Sequence, residues 1–201
     1  MQPDTSTEER ILIAARKIFL DKGLESARMQ DIADEAGINK AMLHYYFRNK
    51  EKLFETIFFQ VAAGFLPKIF LVLQSENTLF RKIELFCSEY IHQQMQTPYV
   101  PMFIIKELNR DPKMFLKRVL KGKKPPLEKV LEQIKTDIKK GIIKPIEPVQ
   151  LLLNIISLCI FPFLARPMVQ TITGMDIDQF NELMELRCKE VPQIIINSIK
   201  V

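Results

Sequence analysis

Alternation of apolar and polar residues, the mark of a half-buried strand, occurs nowhere over any length in this 201-residue chain, so sheet architectures are set aside. Cysteine is scarce. Cys87, Cys159 and Cys188 are odd in number and widely spaced, which argues against a disulfide framework and fits reduced thiols in a core. Histidine is scarcer, with two in the chain, and His92 has no second His or Cys three or four residues further along. No metal site and no cofactor is therefore expected. A Gly-rich phosphate loop, HExxH and a nucleophile elbow are all missing, which removes the usual sequence signs of an enzyme. The N-terminus, MQPDTSTEER, lacks the basic-then-apolar pattern of an export signal, and the expected location is the cytoplasm. The apolar run VQLLLNIISLCIFPFLA at 149–165 is shorter than the ~20 residues a bilayer span needs and is interrupted by Gln150, Asn154 and Ser157. Burial in protein rather than in a membrane is expected for it.

What is present reads as helix. Hydrophobic residues make up 47% of the chain, enough for a substantial core, and they recur at intervals of three and four while glycine and proline fall mostly between segments. A first helix starts after Ser6, a capping residue, carries Ile11, Ala14, Ala15, Ile18 and Phe19 on one face, and stops at Gly23. A long helix begins near Lys50, with a bend expected at Pro67. Further helices fit 78–96, 99–109, 112–121, 125–140, 147–165 and 177–199, the last with a kink expected at Pro192.

The net charge of +5 is unevenly spread. Residues 106–144 hold 13 basic against five acidic side chains, dispersed among apolar partners as a solvated surface would be. The first 36 residues carry five basic and eight acidic groups, whereas residues 37–55 carry four basic and two acidic. The sorting coincides with a compact pattern over residues 28–47. Ile32 and Ala33 mark the inner face of a short helix, Gly37 supplies a left-handed stop, and Asn39 can cap a second helix in which Leu43 and Phe47 point inward. Small Ala33 and Ala36 allow close approach, so Lys40, Ala41, Met42, Tyr45 and Tyr46 project from a rigid helix–turn–helix corner suited to a DNA major groove.

The stretch ERILIAARKIFLDKGLESARMQDIADEAGINKAMLHYYFRNKEKLFE resembles the N-terminal domain of the tetracycline-repressor (TetR) family of transcriptional regulators. The resemblance combines the AA..IF...G helix, the DIA..AG turn, the L.YYF helix and the following N.KEKL. It implies an all-α fold of about nine helices: a three-helix helix–turn–helix domain over 1–50, then a helical effector-binding and dimerisation domain over 51–201. By position it assigns base reading to Gln30, Lys40, Ala41 and Met42, and phosphate contact to His44, Tyr45, Tyr46 and Lys50. The chemistry agrees: lysine donates to guanine, glutamine pairs with adenine, and apolar tips touch a thymine methyl. Two positions depart from the family pattern. His44 replaces a tyrosine, and a phosphate contact there would strengthen on protonation. Arg28 replaces a Ser or Thr cap, so Ser26 or solvent must serve the helix end, while the guanidinium gains a phosphate contact.

The expected partners are double-stranded DNA, a small-molecule effector and a second copy of the chain. Nine of the 14 phenylalanines lie between residues 54 and 115, interleaved with methionines, a composition suited to an adaptable apolar cavity. Phe58, Phe65, Phe86, Tyr90, His92, Met95, Met102, Phe103 and Glu107 are the candidate effector contacts. The helix at 147–165 is apolar round most of its circumference and needs cover from outside its own chain. Leu152, Ile156, Ile160, Leu183, Val191 and Ile195 are the candidate interface of a twofold four-helix bundle. A small helical enzyme and a helix–turn–helix used only for protein contact are the alternative readings. Salt separates the second from DNA binding, which weakens steeply as ionic strength rises.

Overall fold

The computed structural model describes residues 6–122 and 124–201. Among the described residues there are eleven helices and no strand: α1 (Thr7–Ser26), α2 (Met29–Ala36), α3 (Lys40–Tyr46), α4 (Lys50–Gln74), α5 (Leu79–Gln96), α6 (Val100–Arg110), α7 (Pro112–Val119), α8 (Leu127–Lys139), α9 (Pro148–Leu164), α10 (Arg166–Thr173) and α11 (Ile177–Ile199). The all-α expectation holds, with more helices than the nine or so anticipated. The unanticipated one is α10, RPMVQTIT, a two-turn helix that follows α9 after one residue and buries none of its side chains. Helices α4 and α11 run on through Pro67 and Pro192.

The chain divides into two compact units, Met1–Gly64 and Phe65–Val201. The boundary falls beyond residue 50 because the first half of α4 packs into the N-terminal unit. Leu53, Phe54 and Ile57 are fully buried there, and Phe54 meets Phe19 edge-on at 5.2 Å. Helix α1 begins as expected, with the Ser6 hydroxyl accepting from the Glu9 amide at 3.2 Å. At Gly23 the backbone adopts φ 74° and ψ 166°, a region essentially reserved for glycine, and the chain kinks before a last turn to Ser26.

The C-terminal unit is built round α5, α9 and α11. Their inward residues include Ile83, Cys87, Ile91, Leu151, Ile155, Cys159, Phe180, Met184, Val191 and Ile195, all buried in one core with Val130 and Ile134 of α8. The three cysteines are free and buried, as expected of core thiols. Helix α4, at 25 residues, is long and apolar enough to cross a bilayer by length and composition, as is the α9–α10 pair, which is bent by 63°. Sequence inspection tested 149–165 and passed over α4. Part of its apolar face is buried in protein, Leu53, Phe54, Ile57 and Phe58 in one unit and Ile69 and Leu73 in the core of the other, while Leu71 is exposed.

Candidate nucleic-acid interface

The corner formed by α2 and α3 is held by bonds to the backbone at each end. Gly37 closes α2 in the left-handed conformation, φ 64° and ψ 39°, and the Ile38 amide donates to the Ala33 carbonyl at 3.0 Å. Asn39 caps α3, its side-chain oxygen accepting from the Met42 amide at 2.7 Å. Such a cap contributes about 0.5–2 kcal/mol. Sequence reading missed a third fastening: Arg10 of α1 donates to the Ala36 carbonyl at 2.6 Å, satisfying an orphan acceptor at the end of α2. The same guanidinium lies 3.2 Å from where a Cβ on Gly37 would sit.

Two ion pairs join α1 to α2, Lys17–Glu35 at 2.7 Å and Lys22–Asp31 at 3.0 Å. The Lys22 ammonium beside Asp31 holds that carboxyl below its ordinary range, helped by the Arg28 amide. At the start of α2 the Arg28 side chain makes no cap. The bond at this end is the reverse one, from the Arg28 amide to the Asp31 carboxylate at 3.2 Å.

On α3 the division of labour is sharp. Leu43 is fully buried and Phe47 nearly so, while Lys40, Ala41, Met42, His44, Tyr45 and Tyr46 are all exposed. Tyr45 reaches 85% exposure for a large aromatic ring, and it meets Tyr46 edge-on at 5.5 Å. Gln30 and Arg28 are exposed beside them, with the Gln30 amide nitrogen resting on Asp34 at 2.7 Å. His44 Nδ1 lies 3.1 Å from the Arg48 carbonyl, which fixes a proton on Nδ1 and leaves Nε2 for an outside partner.

Lys50 departs from expectation. Its ammonium donates to the carbonyls of Glu25 and Ala27, both at 3.0 Å, so two of its three donors tie the start of α4 to the end of α1. That role is structural, and little of the ammonium is left for a phosphate. The start of α4 is instead capped by Asn49, which accepts from the Lys52 amide at 2.9 Å. Arg48, exposed between α3 and α4, is the cation that sequence reading overlooked; its signal was the FRNK run directly after the recognition helix.

In the C-terminal unit the effector candidates do not converge. Phe65, Phe86 and Tyr90 form one aromatic group, with centroid distances of 5.7 Å and 5.5 Å to the Tyr90 ring, and burial pushes the Tyr90 phenol up from its ordinary value. Met95 packs on the same core. Phe103 pairs with Phe115 at 6.4 Å, and Met102 is 58% exposed. The Glu107 carboxylate is buried and already held by Arg110 at 2.6 Å. Phe58 is a correction: it lies in the N-terminal unit, beside Phe59. His92 is exposed and faces Glu185.

The cavity lies elsewhere. An apolar space of about 250 Å³ is walled by α5, α8 and α9 and by Leu73, and of the candidate effector residues Phe86 alone lines it. Lys82 also lines it, 3% exposed, its ammonium donating to Gln133 at 2.7 Å. Burial pushes that ammonium down from the ordinary lysine value, and nearby Lys129 adds to the effect.

Of the interface candidates, Val191 and Ile195 are corrected to core residues of the single chain, 0% and 3% exposed. Their stripe packs inward because α5 and α9 already cover it. Leu152, Ile160 and Leu183 are half-buried and Ile156 is exposed. The outward apolar residues are Val149, Leu153, Ile156 and Phe161 on α9, with Ile177, Leu186 and Ile194 on α11.

A basic-and-aromatic face on the second helix of a locked helix–turn–helix is the arrangement suited to a DNA major groove. Residues 11–57 match the family of bacterial regulatory proteins named tetR. It is 37% identical over 62 residues to the HTH-type transcriptional repressor KstR2 of Mycolicibacterium smegmatis, a match covering 28% of this chain and 30% of that protein. The chain thus spans under a third of that relative's length. Similarity to the HTH-type transcriptional regulator RutR of Escherichia coli K12 covers 98% of this chain and 92% of RutR at 24% identity. Among solved structures, AibR in complex with isovaleryl coenzyme A and operator DNA superposes with a TM-score of 0.59 and 18% identity, over 79% of this chain and 86% of AibR. At that identity the likeness carries the fold.

Proposed function

We propose that the protein is a ligand-responsive transcriptional regulator, a repressor that leaves a palindromic operator when a small amphipathic effector binds. The observation that carries the DNA half is the exposed set on α3, six side chains of seven outward round a buried Leu43. Lys40, Ala41 and Met42 read base edges with Gln30, while Tyr45, Tyr46, His44, Arg28 and Arg48 meet phosphates. Selection from random duplexes followed by a salt titration tests this. A selected sequence bound more tightly than random DNA, with affinity falling steeply in salt, is the expected result. Indifference to salt would favour a protein-contact module.

The effector reading moves from the phenylalanine-rich region to the cavity beside Lys82. Apolar walls with one buried ammonium suit a molecule with an apolar body and an anionic head, which would pair a charge that burial disfavours. Two copies of the chain associate through the outward residues of α9 and α11. Val149, Leu153 and Ile156 line the cavity and are also exposed, so a partner seated on α9 would roof it. Twofold pairing sets two copies of α3 about one DNA turn, ~34 Å, apart or a multiple of it. An effector lowers operator affinity only to the extent that it prefers the conformation that does not bind.

A further inference from the structure

His92 of α5 and Glu185 and Cys188 of α11 bring an imidazole, a carboxylate and a thiol together, their ligand atoms all within 4.8 Å of one another. The imidazole is oriented. Its Nδ1 lies 2.8 Å from the Ser88 carbonyl oxygen, so the Nδ1 proton is committed to that acceptor and the Nε2 lone pair points elsewhere. Nε2 lies 3.2 Å from Glu185 Oε2, and Cys188 Sγ lies beside the ring, 3.7 Å from Nδ1 and 3.9 Å from Nε2. In the neutral ring, Nε2 and the carboxylate are both acceptors. Something positive belongs between them, either a second ring proton or a cation.

From this geometry we infer that His92, Glu185 and Cys188 form a binding site for one borderline-soft divalent cation of the zinc class. Nitrogen, oxygen and sulfur donors are the zinc set, and bonds of ~2.0–2.3 Å place tetrahedral ligand atoms ~3.3–3.8 Å apart, a range that the two spacings from Nε2, 3.2 Å and 3.9 Å, lie just outside, so the exposed His92 and Glu185 side chains adjust slightly to close on an ion. The Ser88 carbonyl supplies the outer bond that metal-binding histidines use to fix tautomer and ring orientation. Access is open on one side and closed on the other: the His92 and Glu185 side chains are 48% and 56% exposed, while Cys188 is 9% exposed. An ion enters from solvent against a buried sulfur, with a fourth position left to water. Coordination sends the thiol proton to solvent. The site joins α5 to α11 and is separate from the cavity beside Lys82.

The test uses the full-length chain, stripped with a chelator and dialysed against micromolar zinc, then examined again with cobalt. The expected result is about one zinc retained per chain and a thiolate-to-cobalt charge-transfer absorption. His92→Gln and Glu185→Gln alter exposed side chains and should keep the helical circular dichroism while weakening retention more than about tenfold. Cys188→Ser should abolish the charge-transfer band. No zinc retained would overturn the inference and leave His92–Glu185 an ion pair. Zinc retained equally by His92→Gln and Glu185→Gln would overturn it as well.

Discussion

Helices α3 and α9 both turn large side chains to solvent, and the chemistry of what they expose is opposite. Helix α3 offers lysine, histidine and two tyrosines, groups with hydrogen-bonding tips on a helix held by an asparagine cap and a buried leucine. Helix α9 offers Val149, Leu153, Ile156 and Phe161, with no polar tip among them. A face of the first kind loses nothing in water and gains on meeting a polyanion. A face of the second kind gains by being covered, at about 25 cal/mol per Å² of apolar area removed from water. The two exposed faces thus differ in chemistry, and under the proposed function they meet different partners.

The contrast breaks most completely at Leu43. Leu43→Ala removes the one fully buried side chain of α3 and should cost about 2–5 kcal/mol of stability in the N-terminal unit, abolishing DNA binding. Thermal melts and gel shifts check both effects, and the melt of the C-terminal unit should stay in place. Next in size is the paired change Leu153→Asp and Ile156→Asp on α9. It should give folded monomers by sedimentation and sharply weaker operator binding, because a palindrome rewards only a joined pair. A dimer persisting in that variant would move the interface off α9.

Subtler changes sharpen the contrast. Gly37→Ala forces a side chain into a left-handed conformation against Arg10 and should cost roughly 1–2 kcal/mol, measurable by denaturant unfolding. Lys40→Ala should leave stability unchanged and relax preference at one base position by about 1–3 kcal/mol. Equal loss on selected and random DNA would take Lys40 out of the base-reading set. The smallest effect is at Asp31, whose carboxyl is held low by Lys22. The folded state binds that proton less readily than the unfolded one, so the contribution exists above the ordinary carboxylate value and is lost as pH falls through the lowered value. Asp31→Asn should therefore flatten the acid limb of the stability curve slightly.

The N-terminal unit was legible because its function depends on short-range rules. A left-handed stop at Gly37, a cap at Asn39 and inward residues four apart at Leu43 and Phe47 lie within eleven positions. What escaped was every contact spanning more distance: Arg10 reaching the end of α2, Lys50 reaching back to Glu25, and Glu185 meeting His92. In the C-terminal unit the apolar periodicity located the helices but not which stripe faces which neighbour. Val191 and Ile195 obey the same spacing whether they meet α5 or another copy. The apolar space beside Lys82 escaped for the same reason: aromatic density marks a core, and a cleft depends on how helices diverge.

The six outward residues of α3 support almost none of the fold, since the helix is anchored through Leu43, Phe47 and its two ends. Substitutions at Lys40, Ala41, Met42 or Tyr45 are therefore nearly free of structural penalty. Operator preference in such a protein can drift one base at a time across generations while the scaffold stays intact, so a gene duplicate can acquire a new target before it loses the old architecture.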